Sequence, residues 1–465
     1  MHQKIAFSSL VKIGQRIQQQ KTSSLKVTEA MLERIEALDP KLGSYVNVLG
    51  DRAMQRAKRA DREIAKDKIR GPLHGVPVAV KDLCDIDGEV TTAGLPMFSK
   101  RIVDQTATVV KRLEDAGAVI LGKLHLTEGA LADHHPDIAP PINPWAKNRW
   151  SGASSSGSGV AAAAGLAFAT LGSDTGGSIR FPSAANGVVG LKPSWGRVSR
   201  YGVFPLSETL DHIGPLTRSV EDAAAVLAAI AGADSNDPTA AAIDVPDYLS
   251  ELRKGVRGVR IGIDRQSVLA GVDPAIKAGI EKALRAFRKA GAKIISCSLP
   301  DTDAVIEAWT PICAAEAAIA HQQTYPRRKQ GYSKMYSGFL DAGRGFTARD
   351  YANAQIEREK YRGAMLAFFN GVDLYIKPVN AALNPTVRAF ENRNTDGGLT
   401  NVVRFTAPDD MAGLPTITLP SGLDKNGSPL AFQLVARGFE ESLLFRAGAV
   451  WQRASDWRGL QPPLA

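Results

Sequence analysis

Cysteine is scarce in this chain of 465 residues: Cys84, Cys297 and Cys313 lie far apart and form no CxxC pair. A sparse, odd count argues against a disulfide framework and against a zinc ribbon. No run of about 18 or more apolar residues occurs, and residues 1–5 lack the apolar segment and cleavage site of a signal peptide. We therefore expect reduced thiols, no membrane span and a cytoplasmic location.

The chain also lacks several motifs that carry well-defined chemistry. It has no HExxH zinc motif, no P-loop, no complete dinucleotide fingerprint and no GxSxG elbow between a strand and a helix. Its seven histidines are scattered. Two SxxK strings, at residues 9–12 and 23–26, match the β-lactamase motif, but both lie in polar helical segments. A histidine-based or metal-based hydrolase site is therefore not indicated.

The formal net charge is +9, and a basic balance can indicate a nucleic-acid or membrane partner. Here, however, the Lys and Arg residues are spread along the chain and mixed with acids. The densest stretch, residues 52–70, also contains Asp61, Glu63 and Asp67. This pattern is typical of a solvated helix face, so we expect neither partner.

The order of helix and strand signals predicts an α/β fold, with a sheet covered by helices on both faces. Residues 1–66 indicate a peripheral helical segment, in which one amphipathic helix ends near Asp39-Pro40 and a charged helix covers residues 52–66. Strands are predicted at residues 76–80, 118–121, 259–263, 293–296, 416–419 and 432–435, and further helices at residues 106–116, 272–290 and 440–453. Active sites in such sheets favour the carboxyl ends of strands, and Lys81 follows the first predicted strand directly.

A segment rich in Gly and Ser contains the best candidate for a nucleophile. Gly176 and Gly177 precede Ser178 and free the backbone for unusual φ values, so that successive N–H groups there can converge on an anion. A serine hydroxyl is inert until a base takes its proton. Lys81 closes an apolar strand, where desolvation favours the neutral amine and lowers the lysine pKa. The residues alone therefore indicate Ser178 as nucleophile and Lys81 as base.

These segments resemble the amidase signature family. The residues that carry the resemblance are the stretch 152–183, in which Ser154 and Ser178 stand 24 positions apart, together with Gly71–Asp82, Gly122–Glu128, Gly187–Pro193, Leu210–Pro215 and the motifs at 405–408 and 413–415. The resemblance implies the amidase-signature fold, a mixed central sheet between helices. It further implies one hydrolase domain over residues 67–465, with the signature core at residues 71–218.

The resemblance also implies the reaction and its residues. Ser178 matches the nucleophile, Ser154 the cis-peptide serine that relays the proton, and Lys81 the base. Backbone N–H groups of Thr175, Gly176, Gly177 and Ser178 would bind the oxyanion, and Ser155, Asp174 and Arg180 would support the loop. We therefore expect an amidase that cleaves a C–N bond of a small molecule through an acyl-enzyme, as a monomer or homodimer, with no metal and no cofactor.

The substrate pocket is less well defined by the sequence. We expect Leu126 and Thr127 to contribute to it, with Leu124 beside Leu126 in an apolar wall. The stretch Leu131–Ile138 departs from the usual Gly- and Asn-rich texture of the family. His134 and His135 within it are candidate polar pocket residues, or else a solvent-exposed pair.

Three other functions remain open at this stage. A carbamate, urethane or urea-derivative hydrolase would use the same triad. The catalytic subunit of glutamine-dependent tRNA amidotransferases resembles the chain around residues 196–202, but Phe181 stands where those subunits typically carry Gln. Val403 likewise stands where they carry the acid that grips the glutamine amine, and without it that charge would be unpaired. A basic RNA-binding scaffold has only the net charge of +9 in its favour.

Overall fold

The computed structural model describes residues 5–392, 400–455 and 457–464. Its centre is one sheet of eleven strands, in the order β1-β3-β2-β4-β6-β5-β10-β11-β9-β7-β8. The strands are β1 Tyr45–Val48, β2 Pro77–Lys81, β3 Val119–Leu124, β4 Ala169–Asp174, β5 Val189–Lys192, β6 His212–Thr217, β7 Arg260–Ile263, β8 Lys293–Ser296, β9 Leu374–Pro378, β10 Thr416–Leu423 and β11 Pro429–Ala436.

Helices flank this sheet. They are α1 Leu10–Gln18, α2 Ser24–Leu42, α3 Gly50–Ile64, α4 Thr108–Asp115, α5 Ser156–Ala164, α6 Arg180–Asn186, α7 Val220–Ile230, α8 Tyr248–Glu251, α9 Arg265–Leu269, α10 Pro274–Lys289, α11 Asp303–Ala320, α12 Lys334–Gly345, α13 Ala348–Phe368, α14 Val387–Glu391, α15 Thr400–Val403, α16 Ala407–Met411 and α17 Glu441–Ala454. Among the helices in the described ranges, none combines the length and the apolar character that crossing a bilayer requires.

The middle of the sheet is buried on both faces. Every residue of β2, β3, β4 and β6 is buried, although side chains along a strand point alternately to opposite faces. Both faces must therefore be covered, which explains why these strands are rich in apolar residues and do not alternate with polar ones. β2 runs parallel to β3 and β4, whereas β4 is antiparallel to β6. The α/β prediction, with a mixed sheet covered on both faces, is confirmed.

The N-terminal segment differs from its prediction in two respects. It contains strand β1, which pairs antiparallel with β3 at the edge of the sheet, and α1 buries Leu10, Ile13 and Ile17 against the core. The described part of this segment, residues 5–66, is therefore neither purely helical nor merely peripheral. The division of the chain at residue 66 stays a prediction, and one sheet that continues across that boundary weighs against it.

Helix α2 also runs past its predicted end at Asp39-Pro40. Pro40 lies inside its last turn, and the helix continues to Leu42. The stop comes at Gly43, which adopts a left-handed conformation with φ of 62°, and glycine adopts that conformation at little cost. A proline so near the end of a helix removes a single hydrogen bond, which is why it did not terminate α2.

Candidate active site

The carboxyl ends of two neighbouring parallel strands form the base of the site. β2 and β4 are parallel and paired through Ala79↔Thr170 and Val80↔Leu171. Their carboxyl ends therefore lie next to each other at the same end of the strands. Lys81 is the last residue of β2 and Asp174 is the last residue of β4. The lysine and the turn that follows Asp174 are thereby placed side by side.

Lys81 is fully buried and contacts two serine hydroxyls. Its Nζ lies 2.7 Å from Ser154 Oγ and 2.8 Å from Ser173 Oγ. Burial lowers the lysine pKa to about 7, because the ammonium loses its hydration, while the carboxylates of Asp211 and Asp174 act in the opposite direction. Near neutral pH a substantial fraction of Lys81 is therefore an uncharged amine that can accept a proton.

The serine-rich segment lies directly over this lysine. The Ala153–Ser154 peptide bond is cis, as the resemblance implies, and α5 begins two residues later at Ser156. The Ser155 N–H donates to the Ser178 carbonyl oxygen at 3.3 Å. This contact holds the segment that carries Ser154 against the turn that carries Ser178. Ser155 also bonds to β4, because its hydroxyl lies 3.2 Å from both the nitrogen and the carbonyl oxygen of Ser173.

Asp174 folds the turn that contains Ser178. Its carboxylate accepts hydrogen bonds from the N–H groups of Gly177 at 2.6 Å and Ile179 at 2.9 Å. It is also paired with the Arg180 guanidinium, with Nη2 2.8 Å from Oδ1. Burial opposes the charge on Asp174, yet Arg180 holds the pKa of this carboxyl well below its usual range. The turn is thus built around a permanently ionised carboxylate.

This arrangement bears on one predicted oxyanion donor. The N–H of Gly177 donates to Asp174, which weighs against Gly177 as a donor, and its assignment to an oxyanion hole stays a prediction. The need for glycine at this position has another cause: φ is +135°, and a Cβ there would lie 2.3 Å from Cε2 of Phe181. Thr175, Gly176 and Ser178 remain as candidate donors.

Two side chains from distant parts of the chain hold the carbonyl groups of the turn. Trp309 Nε1 donates to the Thr175 carbonyl oxygen at 2.9 Å, and the Thr406 hydroxyl donates to the Gly176 carbonyl oxygen. The Thr175 hydroxyl donates in turn to Asp211. Because these carbonyl oxygens are bound from outside, the orientation of the intervening peptide groups is fixed before any substrate arrives.

Arg180 connects the turn to the C-terminal part of the sequence. Besides Asp174, its guanidinium contacts Asp409, at 3.1 Å, and Asp410, both in α16. Asp409 is also 3.0 Å from Lys377 Nζ and accepts a hydrogen bond from the Tyr375 hydroxyl at 2.6 Å. All of these groups are buried. Sequence reasoning assigned Arg180 a supporting role but missed its partners in α16.

An apolar cavity opens beside the turn, and we name it the inner chamber. Its volume is about 40 Å³. Thr175, Gly176 and Ser178 form one side of it, and the walls include Trp150, Phe181, Leu206, Trp309, Phe390 and Val403. Trp150 and Phe390 are stacked, with ring centroids 4.3 Å apart. No charged side chain is among the described residues that line this chamber.

A second cavity, the outer chamber, adjoins the inner one. Its volume is about 410 Å³, and Ala132, Trp150 and Phe390 line both chambers. Its remaining walls include the polar side chains Asp133, His134, His135, Lys334 and Glu391. The outer chamber is therefore the larger and the more polar of the two.

The predicted pocket residues fall in different places. His134 and His135 line the outer chamber. His134 is partly buried with Nε2 3.0 Å from Ser156 Oγ, and His135 is buried, so they are not a solvent-exposed pair. Leu124, Leu126 and Thr127 are buried and line neither chamber. Leu126 belongs to the apolar core, and Thr127 donates its N–H to the Ser154 carbonyl oxygen at 3.2 Å.

Comparison with known proteins places this geometry in a family. The model of the family described as Amidase matches residues 26–445. The chain belongs to the amidase family. The protein named "Putative amidase AmiD" from Mycobacterium tuberculosis is 41% identical over 456 residues, which cover 98% of this chain and 96% of that protein. The family assignment and the assignment as an enzyme that acts on C–N bonds are thereby confirmed.

Two further relatives bear on fold and function. A glutamyl-tRNA(Gln) amidotransferase subunit from Anaeromyxobacter dehalogenans is 40% identical over 460 residues, 93% of each chain. The solved native peptide amidase of Stenotrophomonas maltophilia matches with a TM-score of 0.83 and 29% identity, over 98% of both chains. The amidase fold thus extends over nearly the whole chain, including β7 to β9, where the sequence motifs are weakest.

Besides the partners of Arg180, two features of this amidase were not found from its sequence. Ser173, which supplies the second hydroxyl at Lys81, lies on β4 next to Asp174. Its position near the carboxyl end of a strand could have identified it as a candidate site residue. Phe390, in the wall of the inner chamber, gave no local signal. Within the described ranges, His, Cys, Asp and Glu side chains form no cluster of three or more that would suit a metal ion.

Proposed function

We propose that this amidase hydrolyses an amide bond of a small molecule, with Ser178 as nucleophile, Ser154 as proton relay and Lys81 as base. The observation that carries the proposal is the position of Lys81. Its Nζ is 2.7 Å from Ser154 Oγ, it is fully buried, and its pKa of about 7 makes it a base at neutral pH. A lysine on the protein surface would remain protonated at neutral pH and could not act as the base.

The cycle begins with two proton transfers. Neutral Lys81 takes the proton of the Ser154 hydroxyl, and Ser154 takes the proton of Ser178 as its oxygen attacks the substrate carbonyl carbon. Negative charge develops on the carbonyl oxygen, where the N–H groups of Thr175, Gly176 and Ser178 are the candidate donors. These groups are held in advance by Asp174, Trp309 and Thr406, so little reorganisation is needed as the charge forms.

The remaining steps balance the protons. The C–N bond breaks as Ser154 returns a proton to the leaving nitrogen, and Lys81 reprotonates Ser154, which leaves an acyl-enzyme ester on Ser178 and a free amine. Water then attacks the ester and gives its proton to the same relay. The carboxylic acid leaves, and Ser178 regains its hydrogen. The net reaction is amide plus water to acid plus amine.

The inner chamber favours hydrolysis of an uncharged substrate over glutamine-dependent amidotransfer. The free amino acid glutamine carries an ammonium and a carboxylate, which need partners when they leave water. Phe181 and Val403 lie in the chamber wall, at the two positions where the amidotransferase subunits would need polar side chains. The chain is similar to those subunits along its length. The distinction between a hydrolase and an amidotransferase subunit therefore rests on the side chains at positions 181 and 403. The expected cytoplasmic location and a monomeric or homodimeric state stay predictions.

The test is a panel of p-nitroanilides, primary amides, aryl carbamates and glutamine, assayed with wild type, Ser178→Ala and Lys81→Arg. We expect hydrolysis of amides, no ammonia release from glutamine, and labelling of wild type by a fluorophosphonate probe. Ser178→Ala should lose both turnover and labelling. Lys81→Arg should lose at least about 10²-fold in kcat/KM, because a guanidinium stays protonated and cannot act as base. Turnover in Ser178→Ala near that of wild type would refute the mechanism, and faster cleavage of carbamates would reassign the substrate class.

A further inference from the structure

The two chambers meet at a wall made of two stacked aromatic rings. Trp150 and Phe390 line both chambers, their ring centroids are 4.3 Å apart, and their planes are inclined by 19°. Trp150 also contacts Phe181, at 6.0 Å between centroids. The wall therefore belongs to a continuous aromatic surface that ends beside the turn of Ser178.

The chain fixes this wall from both sides. The Trp150 carbonyl oxygen accepts hydrogen bonds from the side-chain amides of Asn143 and Asn384, each at 2.9 Å. The Trp150 backbone N–H donates to the Pro385 carbonyl oxygen at 3.0 Å. Phe390 lies in α14, whose first turn is capped by the Thr386 hydroxyl. These hydrogen bonds fix the backbone on both sides of the ring pair, so a group too large for the inner chamber meets closely packed aromatic rings.

The acyl part of the substrate belongs in the inner chamber. It stays covalently attached to Ser178 after the amine has left, and Ser178 lines the inner chamber but not the outer one. The inner chamber holds about 40 Å³ and the outer chamber about 410 Å³. The acyl side therefore has little room, whereas the amine side has room for a ring or for a group that carries hydrogen-bonding atoms.

We propose that the Trp150–Phe390 wall makes this amidase select amides with a short, uncharged acyl group and a larger amine part. This specificity rests on the proposed function, because it assigns the two chambers to the two halves of an amide cleaved at Ser178. The wall residues act on specificity by limiting size and take no part in proton transfer.

A pair of isomeric amides tests the proposal. N-benzylacetamide and N-methyl-2-phenylacetamide contain the same atoms, but the phenyl ring is on the amine in the first and on the acyl group in the second. We expect wild type to favour N-benzylacetamide by at least about tenfold in kcat/KM, a discrimination that an apolar pocket can achieve by size alone. Equal values, or the opposite preference, would overturn the proposal.

Variants of the wall provide the second measurement. Phe390→Ala removes one ring from the boundary and enlarges the inner chamber, so the preference for N-benzylacetamide should fall at least about tenfold. Phe390→Leu should give an intermediate ratio and serves if the alanine variant does not fold. Phe98→Ala is the matched control, because Phe98 is also a partly buried member of an aromatic pair, with Phe204 at 5.9 Å, and it lines neither chamber. An unchanged ratio in both Phe390 variants would overturn the proposal.

The two proposals fail in different ways. If neither isomer nor any other amide is cleaved and the fluorophosphonate does not label Ser178, the proposed function is wrong and the specificity falls with it. If amides are cleaved in a Ser178-dependent manner without preference between the isomers, the function stands and only the role of the wall is refuted.

Discussion

Asp211 accepts a hydrogen bond from the hydroxyl of Thr175, and among the neighbouring charges it has the largest effect in raising the pKa of the buried Lys81. One carboxylate thus acts on both parts of the site. It fixes the first residue of the turn that ends at Ser178, and its negative charge raises the pKa of Lys81 against the lowering effect of burial. The pH at which this amidase becomes active should therefore depend on Asp211.

The first prediction concerns that pH dependence. Because the proposed mechanism uses neutral Lys81 as the base, kcat/KM should rise with pH along an acid limb near the lysine pKa of about 7. Asp211→Asn removes the charge that favours the ammonium, so the pKa of Lys81 should fall and the acid limb should move to lower pH. The measurement is kcat/KM of an amide across the range from about pH 5 to about pH 9.

The matched control for Asp211 is Asp222→Asn. Burial raises the carboxyl pKa of both residues to about 6, but the Asp222 carboxylate accepts a hydrogen bond from the Val11 N–H in α1. Asp222 lies in the first turn of α7, and its own N–H donates to the Ser219 hydroxyl. Asp222→Asn should therefore leave the acid limb of kcat/KM at the same pH as in wild type. A limb that moves to higher pH in Asp211→Asn, or one that moves equally in both variants, would contradict the electrostatic argument.

The second prediction concerns Ser173. Its hydroxyl lies 2.8 Å from Lys81 Nζ, so Ser173→Ala leaves the lysine with Ser154 as its remaining hydroxyl partner. A single buried hydrogen bond contributes about 0.5–1.5 kcal/mol, and we expect kcat/KM to fall by about 2- to 15-fold through that interaction. Ser158→Ala removes another buried serine hydroxyl, which donates to the Leu171 carbonyl oxygen, and should leave kcat/KM near that of wild type. Equal losses in the two variants would argue against a role for Ser173 at Lys81.

The third prediction concerns the buried charges around Arg180. Arg180→Ala leaves the carboxylates of Asp174, Asp409 and Asp410 without their common partner, and breaking a buried ion pair typically costs about 3–5 kcal/mol. Urea unfolding followed by circular dichroism should show a loss of that size in the free energy of unfolding. Arg260→Ala is the comparison, since its pair with Asp373 is roughly one-third exposed and should cost under about 1 kcal/mol. Similar losses in both variants would show that Arg180 is not the centre of the cluster.

The fourth prediction separates backbone conformation from steric contact at Gly177. Gly177 and Gly422 have nearly the same φ, +135° and +133°, but a Cβ at Gly177 would meet the Phe181 ring, whereas a Cβ at Gly422 would meet no atom within 4 Å. Both alanine variants should lose about 1–3 kcal/mol in the free energy of unfolding. Only Gly177→Ala should also lose at least about 10²-fold in kcat, because the displaced turn misaligns the oxyanion donors. Full activity in folded Gly177→Ala would disprove this.

The sequence indicated the position of candidate site residues where that position depends on neighbours along the chain. Lys81 stands at the end of an apolar strand and Gly176-Gly177 precede Ser178, and the structure places both features at the same sheet edge. The interactions of Arg180 could not be found this way, because Asp409 and Asp410 are 229 and 230 positions away. The signal that was available is chemical: two adjacent acids between the apolar residues Ala407 and Met411 indicate buried charges in need of a cation.

The pocket was the least predictable part for the same physical reason. Leu126 is apolar and follows a motif segment, and nothing in its neighbours shows whether it faces a cavity or the core; it lies in the core. Phe390 comes from α14, far along the chain, and reaches Trp150 only through the tertiary fold. Specificity walls are assembled from several elements, so their composition is set by packing and not by a local motif.

The position of β10 and β11 in the middle of the sheet has a consequence for how the enzyme is made. These strands stand between β5 and β9, although they follow both in the sequence. During translation, Lys81, Ser154 and Ser178 therefore leave the ribosome long before β10 and β11, the strands that join the two halves of the sheet. They also leave it before α16, which supplies the acids that contact Arg180. On the proposed mechanism, activity is therefore acquired late in synthesis, because a partly made chain contains all three residues without the strands and helix that hold them in place.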